Sequence, residues 1–337
     1  MRSALVTGSA GFIGYHTCRR LLADGFRVTG LDAITDYYDV ALKTRRHAML
    51  KQSAAFRAVE ARLEEPGLLA RLMDEERPEI VIHLAAQAGV RHSIENPRSY
   101  VEANLVGTFE LLEAARAHPP AHMLMASTSS VYGANTAMPY AETDKADTPM
   151  SFYAATKKAN EAMAHSYAHL YGLPVTMFRF FTVYGPWGRP DMAHFRFTAA
   201  ILEGRPIEVY NHGEMMRDFT YVDDLVEGVR LLVDVVPARP AAPERISEGD
   251  SLSPVAPYRV VNIGNSEPIK LMDFIAAIEA ATGRLAEKTF MDMQPGDVPA
   301  TWADATLLRR LTGYAPKVAV AEGAARFVAW YRDYYGV

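Results

Sequence analysis

The stretch that most restricts what this chain can become lies at residues 4–25. Ala4-Leu5-Val6 is a short apolar run that reads as a buried strand. Thr7-Gly8-Ser9-Ala10-Gly11-Phe12-Ile13-Gly14 follows at once, and Tyr15–Asp24 then reads as a helix closed by Gly25. Strand, glycine loop and helix in that order are the context of a dinucleotide-binding βαβ unit. Gly8 permits the tight turn, Gly11 lets backbone approach a pyrophosphate, and Gly14 lets helix and strand pack closely. The spacing is GxxGxxG rather than GxGxxG. Gly8, Gly11, Phe12, Ile13 and Gly14 are therefore expected to hold the cofactor's phosphates at the helix N-terminus.

Val28-Thr29-Gly30-Leu31 reads as the second strand, with Asp32 at its end, 18 residues after Gly14. An acid there meets the adenosine ribose hydroxyls and repels a 2′-phosphate, so the expected cofactor is NAD rather than NADP. Lys43 stands in a polar, aromatic stretch, 36–51, where it either reaches the cofactor or is solvated, and it is expected among the cofactor-binding residues. Residues 66–77 are expected to form the second helix. Ile80–Ala86 reads as a buried strand whose Leu84, Ala85 and Ala86 leave room for the cofactor, with His83 a satisfied core histidine.

Bulk properties exclude several classes. With 337 residues the chain suits two lobes, and 49% apolar with 22% charged residues is ordinary for a globular enzyme. A net charge of −5 leaves no general basic surface for nucleic acid. No run approaches the ~18 apolar residues of a membrane span, and glycines from Gly8 onward interrupt any signal-peptide core. Cys18 is the single cysteine, which rules out an intramolecular disulfide and fits a reducing, cytoplasmic setting. The ten histidines are scattered without a ligand pair, so no metal is expected.

Chemistry enters with Tyr153-Ala-Ala-Thr-Lys157. On a helix, positions i and i+4 share one face. An ammonium near a phenol favours the phenolate, so Lys157 is expected to bring Tyr153 down toward working pH, ready to exchange a proton with a sugar hydroxyl. Upstream, Met123–Ala126 reads as a strand ending in Ser127-Thr128-Ser129-Ser130-Val131-Tyr132-Gly133. Hydroxyls at the carboxyl end of a parallel strand lie where such sheets bind ligands. Residues 98–117 are expected to form one long helix with an apolar stripe at Val101, Leu105, Phe109 and Leu112.

Four motifs now stand in a fixed order: TGSAGFIG (7–14), STSSVYG (127–133), YAATK (153–157) and RDFTYVDD (217–224). Together they resemble the extended short-chain dehydrogenase/reductase superfamily across essentially the whole chain, and within it the nucleotide-sugar epimerases. The resemblance implies an α/β fold: a Rossmann-type doubly wound parallel sheet with a smaller C-terminal α/β substrate lobe. It implies bound NAD, a UDP-sugar substrate and a homodimer formed through helices 98–117 and 153–171. Thr128 would partner the sugar's 4-hydroxyl, Tyr153 would act as base and Lys157 would hold the nicotinamide ribose. Related 4,6-dehydratases carry an Asp-Glu pair after the threonine; Ser129-Ser130 stand here, so elimination lacks its acid.

Tyr184–Met192 and Asp36-Tyr37-Tyr38-Asp39 look like the UDP-glucuronate 4-epimerases. Arg189 suits that reading, because a guanidinium grips a carboxylate bidentately; a phosphate contact or a structural salt bridge is the alternative. Oxidised at carbon 4, a uronate becomes a β-keto acid prone to lose CO₂. Arg189, with hydroxyls near Ser127 and Thr182, is expected to hold the carboxylate out of alignment with the carbonyl. The resemblance further assigns Arg217 to the diphosphate, with an ion pair to Asp218 as the alternative, and Gln294 and Asp297 to the UDP end. It departs at Arg62-Leu63, where an Asp-Leu pair is common. UDP-glucose/galactose 4-epimerase and uronate decarboxylase are the competing activities.

The domain boundaries expected are 1–180, with about 216–236 and 258–282, for the NAD-binding domain. About 181–215 and 283–325 form the UDP-sugar lobe, and the proline-rich 237–257 forms a surface loop.

Overall fold

The computed structural model describes residues 1–294 and 296–337. Strand and helix alternate at first: β1 (Ser3–Thr7), α1 (Phe12–Ala23), β2 (Arg27–Asp32), α2 (Val40–Leu50), β3 (Phe56–Glu60), α3 (Leu68–Glu76) and β4 (Ile80–His83). Two short helices, α4 (His92–Glu95) and α5 (Pro97–Tyr100), run through a π-helical stretch, Val101–Val106, into α6 (Gly107–Ala117). Next come β5 (His122–Thr128), α7 (Phe152–Tyr171), β6 (Val175–Phe180), β7 (Thr182–Tyr184), α8 (Ala193–Glu203) and β8 (Ile207–Tyr210). The chain continues with β9 (Met216–Tyr221), α9 (Val222–Leu232), β10 (Tyr258–Ile263), β11 (Pro268–Lys270) and α10 (Leu271–Thr282). β12 (Lys288–Met291), β13 (Ala300–Thr301), α11 (Thr306–Thr312) and α12 (Val320–Tyr335) complete it.

Seven strands form one parallel sheet in the order β10-β6-β5-β4-β1-β2-β3. Its direction of winding reverses between β1 and β4, and such sheets bind ligands at that point, beyond the carboxyl ends of the strands. Both faces are covered. α1 and α9 pack on one side, where Val222, Leu225, Val226, Val229 and Leu232 of α9 are buried with Tyr15 and Cys18 of α1. Burial of side chains this size stabilises by roughly 1.5–3 kcal/mol each. α3, α6 and α7 cover the other face through Leu69, Leu72, Leu111, Leu112 and Ala164.

A second lobe stands over the carboxyl ends of this sheet. β9 pairs with β7, β11 and β13, and β8 pairs with β12. Phe274, Ile275 and Ile278 of α10 share a core with Phe197 and Ile201 of α8 and Ala324 of α12. Leu271–Thr282 and β9, grouped with the nucleotide domain from the sequence, thus pack within this lobe. β10 does join the main sheet, and 237–257 is a loop with one short 3₁₀ turn at Pro243–Arg245.

Three local expectations need correction. A helix, α2, occupies part of 36–51, capped by Asp39, whose carboxylate accepts from Ala41 N at 2.8 Å. Its buried face carries Lys43, Arg46 and His47 beside Leu42 and Leu50, so polar residues hide its apolar period. The strand read at 80–86 ends at His83, and Leu84 N donates to Thr7 O at 3.2 Å as the chain turns away. The helix read at 98–117 is wound through a π stretch, which rotates its faces. Phe109 is 48% exposed, while Asn104, Thr108 and Leu111 face inward.

Candidate active site

The glycine loop is shaped by contact distances. Gly8 has φ of 76°, and a Cβ there would stand 2.7 Å from Ala85 N. A Cβ on Gly14 would stand 2.0 Å from Gly8 O, so helix and loop touch only because both lack side chains. α1 begins at Gly11 with no side-chain cap, which leaves its first-turn N–H groups free to meet an anion. Asp32 accepts from Ala10 N at 2.9 Å through Oδ2 and from Ile34 N at 2.8 Å through Oδ1. The acid is thereby held against the glycine loop at the mouth of the cleft.

That cleft has a volume of about 310 Å³, and every residue expected at the cofactor lines it: Gly8, Gly11, Phe12, Ile13, Gly14, Asp32, Lys43, Leu84, Ala85, Ala86, Tyr153 and Lys157. Lys43 is buried rather than solvated. Its ammonium donates to the carbonyl and hydroxyl of Thr35 and lies 4.2 Å from the Tyr38 ring centre; desolvation lowers its pKa. His83 is a core residue as expected, bonded to Thr7 Oγ1 at 2.8 Å and Thr108 Oγ1 at 3.2 Å. Arg62 and Leu63 also line the cleft, and Arg62 pairs with Glu64.

Thr128 is the last residue of β5, and Tyr153 sits in the first turn of α7, which Ser151 caps by accepting from Ala154 N at 3.1 Å. Burial pushes the Tyr153 phenol up. The neighbouring Thr128 hydroxyl and the charge of Arg189 oppose that rise without cancelling it. Lys157 follows one turn on, buried, donating to Ala126 O at 3.0 Å; desolvation lowers its pKa to about 8.

Ser127 lines the same cleft beside Thr128, and its buried hydroxyl donates to Glu161 Oε1 at 2.6 Å. Arg179 grips the same carboxylate through Nε and Nη2, both at 2.9 Å. The Ser127 hydroxyl thus joins a buried ion pair at the edge of the cleft.

A second cleft, of about 1100 Å³, is lined by Thr128, Tyr153, Thr182, Arg189, Arg217 and Asp297 among others. Arg189 meets Asp191 through Nε at 3.0 Å and Nη2 at 2.5 Å, and the Tyr37 hydroxyl donates to the same carboxylate at 3.3 Å. Arg217 is held by carbonyl oxygens, Met216 at 2.9 Å, Val298 at 2.8 Å and Pro299 at 3.1 Å. The alternative ion pair with Asp218 does not form, because Asp218 is buried and accepts from the backbone of Asn265, Ser266 and Ala303. Among the described residues no carboxylate lies within salt-bridge distance of Arg217. A guanidinium kept in a cleft without a counterion suits an anionic ligand.

Asp297 lines this cleft and meets Arg91 at 3.4 Å. Gln294 stands behind the lining, its carbonyl accepting from Asp297 N at 3.2 Å. Pro295, in the same predicted loop, lies outside the described residues. Arg91, Tyr210 and Arg205 line the cleft without having been singled out from the sequence. Arg91 lies over the Tyr210 ring at 4.8 Å, a pairing of residues more than a hundred positions apart that no local pattern announces. Thr128, Tyr153 and Arg189 line both clefts and so mark their junction.

Known proteins are similar to this chain in sequence and in fold. Residues 4–244 match the model of the NAD dependent epimerase/dehydratase family. A probable UDP-glucuronate 4-epimerase of Rhizobium meliloti is 56% identical over 333 residues, 98% of this chain and 97% of that protein. UDP-glucuronate 4-epimerase 2 of Arabidopsis thaliana is 45% identical over 338 residues, 99% of this chain and 76% of that protein. Among solved structures, the UDP-glucuronic acid 4-epimerase of Bacillus cereus in complex with UDP-glucuronic acid and NAD superposes with a TM-score of 0.87. It is 32% identical and covers 99% of this chain and 100% of that one. Sequence, fold and the paired clefts agree: the chain belongs to the NAD dependent epimerase/dehydratase family.

Proposed function

We propose that the chain is an NAD-dependent 4-epimerase of a UDP-linked uronic acid, interconverting UDP-glucuronate and UDP-galacturonate. The observation that carries this is the junction itself. A phenol, a threonine hydroxyl and a guanidinium line the same point between a dinucleotide cleft and a larger polar cleft. NAD held in the first cleft by the glycine loop, Asp32 and Lys157 would supply the reversible hydride acceptor that exchange at carbon 4 requires.

The chain's own residues do the rest. Free N–H groups at the start of α1 and the carboxylate of Asp32 hold the dinucleotide's pyrophosphate and ribose. Tyr153 removes the proton of the 4-hydroxyl, with the Thr128 hydroxyl lining the same junction of the clefts. Lys157, anchored on Ala126 O, offers its remaining N–H donors to the nicotinamide ribose. Arg217 meets the diphosphate. Arg189 takes the uronate carboxylate in place of Asp191, aided by Thr182, and keeps the C5–carboxylate bond out of line with the C4 carbonyl.

We divide the chain accordingly. The main sheet with its covering helices holds NAD, and the lobe built on β7–β9 and α10 with its neighbours holds the UDP-sugar. Val106 and Phe109 remain 40% and 48% exposed, and Phe152 and Leu170 on α7 are 39% and 63% exposed; these apolar side chains support pairing of two copies through α6 and α7. No helix of the described residues is long and apolar enough to cross a membrane.

Tyr153→Phe tests the assignment. It should retain NAD through gel filtration and lose turnover of UDP-glucuronate by about 10²–10⁴-fold, the usual contribution of a positioned acid–base group. Unchanged turnover removes the phenol from the reaction.

A further inference from the structure

Arg46 is wholly buried, at 0% exposure, although it carries a permanent charge. Its Nη1 donates to Ala10 O at 3.0 Å and to the Tyr38 hydroxyl at 2.8 Å. Its Nη2 donates to Trp187 O and to Gly188 O, the latter at 3.1 Å. Nε has no partner, and among the described residues no carboxylate lies within salt-bridge distance of the group. Burying an unpaired cation costs several kcal/mol, and Arg46 offsets that cost only through neutral acceptors.

The three carbonyl acceptors belong to two loops with different tasks. Ala10 lies inside the glycine loop, its N–H already held by Asp32 at 2.9 Å. Trp187 and Gly188 immediately precede Arg189. Trp187 has φ of 61°, a conformation that a bulky side chain adopts only when its surroundings hold it. Here those surroundings are the Arg46 bond to its carbonyl and an aromatic clamp, with ring centres of Trp330 and Tyr334 on α12 at 5.3 and 5.2 Å. One guanidinium thus registers the loop that carries Arg189 against the loop that cradles the dinucleotide.

We infer that Arg46 is a positioning residue that sets the partition between epimerisation and decarboxylation. This rests on the reading above in which Arg189 holds the uronate carboxylate. The chemistry of failure is definite. In the 4-keto sugar the C5–C6 bond breaks, its electron pair passes into an enolate on the C4 carbonyl, and CO₂ leaves. C5 then takes a proton, while the hydride already removed from carbon 4 stays with the cofactor. A displacement of Arg189 that lets the C5–C6 bond align with the carbonyl opens that route, and a shift of about 1 Å is enough to change a rate by ~10²-fold. Arg46 prevents it without touching the substrate.

The test measures a product ratio, which does not depend on how much of the enzyme is active. Wild type, Arg46→Gln, Arg46→Lys, Trp187→Leu and Arg189→Ala are each loaded with NAD and incubated with UDP-glucuronate. UDP-galacturonate, UDP-4-keto-pentose and CO₂ are then quantified, with retained NAD measured separately after gel filtration. Arg46→Gln should keep its NAD and raise the ratio of 4-keto pentose to UDP-galacturonate about tenfold or more. Arg46→Lys, which restores the charge but not the fork, should fall between. Trp187→Leu loosens the same loop from its other side and should move the ratio in the same direction, which keeps the test open if Arg46→Gln does not fold. Arg189→Ala leaking while Arg46→Gln and Trp187→Leu keep the wild-type ratio overturns the role of Arg46 alone. No leak from Arg189→Ala overturns the carboxylate grip, and this inference with it.

Discussion

Two arginines near the junction of the clefts grip carboxylates with the same bidentate fork, yet their surroundings differ. Arg179 holds Glu161 at 2.9 Å through both Nε and Nη2, and both side chains are only 3% exposed. Glu161 also accepts from Ser127 and Lys158, so its lone pairs are filled. Arg189 holds Asp191, two residues along the same loop, with the side chains 22% and 34% exposed to the larger cleft. The first pair ties β5 and β6 to α7, and therefore Thr128 to Tyr153. The second lies where a ligand can compete for the guanidinium. Burial, rather than the chemistry of the pair, separates a brace from a binding group.

The comparison can be broken at its strongest point by Arg179→Ala. Removing one partner leaves the buried Glu161 charge with only the half-exposed Lys158 ammonium, so stability should fall by about 3–5 kcal/mol in denaturant titration. A loss below about 1 kcal/mol would mean the pair is no brace.

Glu142 sharpens the same point. It is buried on the Arg179 side of the sheet, accepts from Asn262 N at 2.8 Å and has no fork of its own. Burial raises its pKa from 4.5 to about 7; the Asn262 N–H and Arg179 oppose the rise and Asp304 adds to it. A carboxyl raised in the folded state contributes stability that is complete below its unfolded pKa and is lost as pH climbs through the folded value. Wild type should therefore lose about 1–3 kcal/mol between pH 4.5 and pH 8 relative to Glu142→Gln. Parallel stability profiles for the two proteins would count against it.

The smallest effect on stability belongs to Arg189→Ala. A partly exposed pair contributes about 0–1 kcal/mol, so the unfolding midpoint should barely move. The same variant carries the largest change in product, as its role in the cleft requires.

The fold was legible wherever backbone geometry demands a residue type. Gly8 and Gly14 stand where a Cβ would strike backbone, and the flanking apolar runs became β1 and α1. Tyr153 and Lys157 line one cleft, as their i, i+4 spacing on a helix requires. What escaped was set by tertiary contact. α2 buries Lys43, Arg46 and His47, so its period looks polar until the loops it serves are in place. The apolar stripe on 98–117 split, with Phe109 exposed and Leu112 buried, where a π stretch precedes α6. The bond from Ser127 to Glu161, 34 positions away, was likewise invisible in the local pattern. Arg91 and Tyr210 meet only when the second lobe closes on the first.

The central claim is that the junction of phenol, threonine and guanidinium turns over a uronate at carbon 4 and keeps its carboxylate. Purified protein loaded with NAD, incubated with UDP-glucuronate and analysed for both sugar products and CO₂, tests it directly. The account predicts UDP-galacturonate with carbon fully retained. Turnover of UDP-glucose in preference to the uronate, or CO₂ released in step with consumption of UDP-glucuronate, would contradict it.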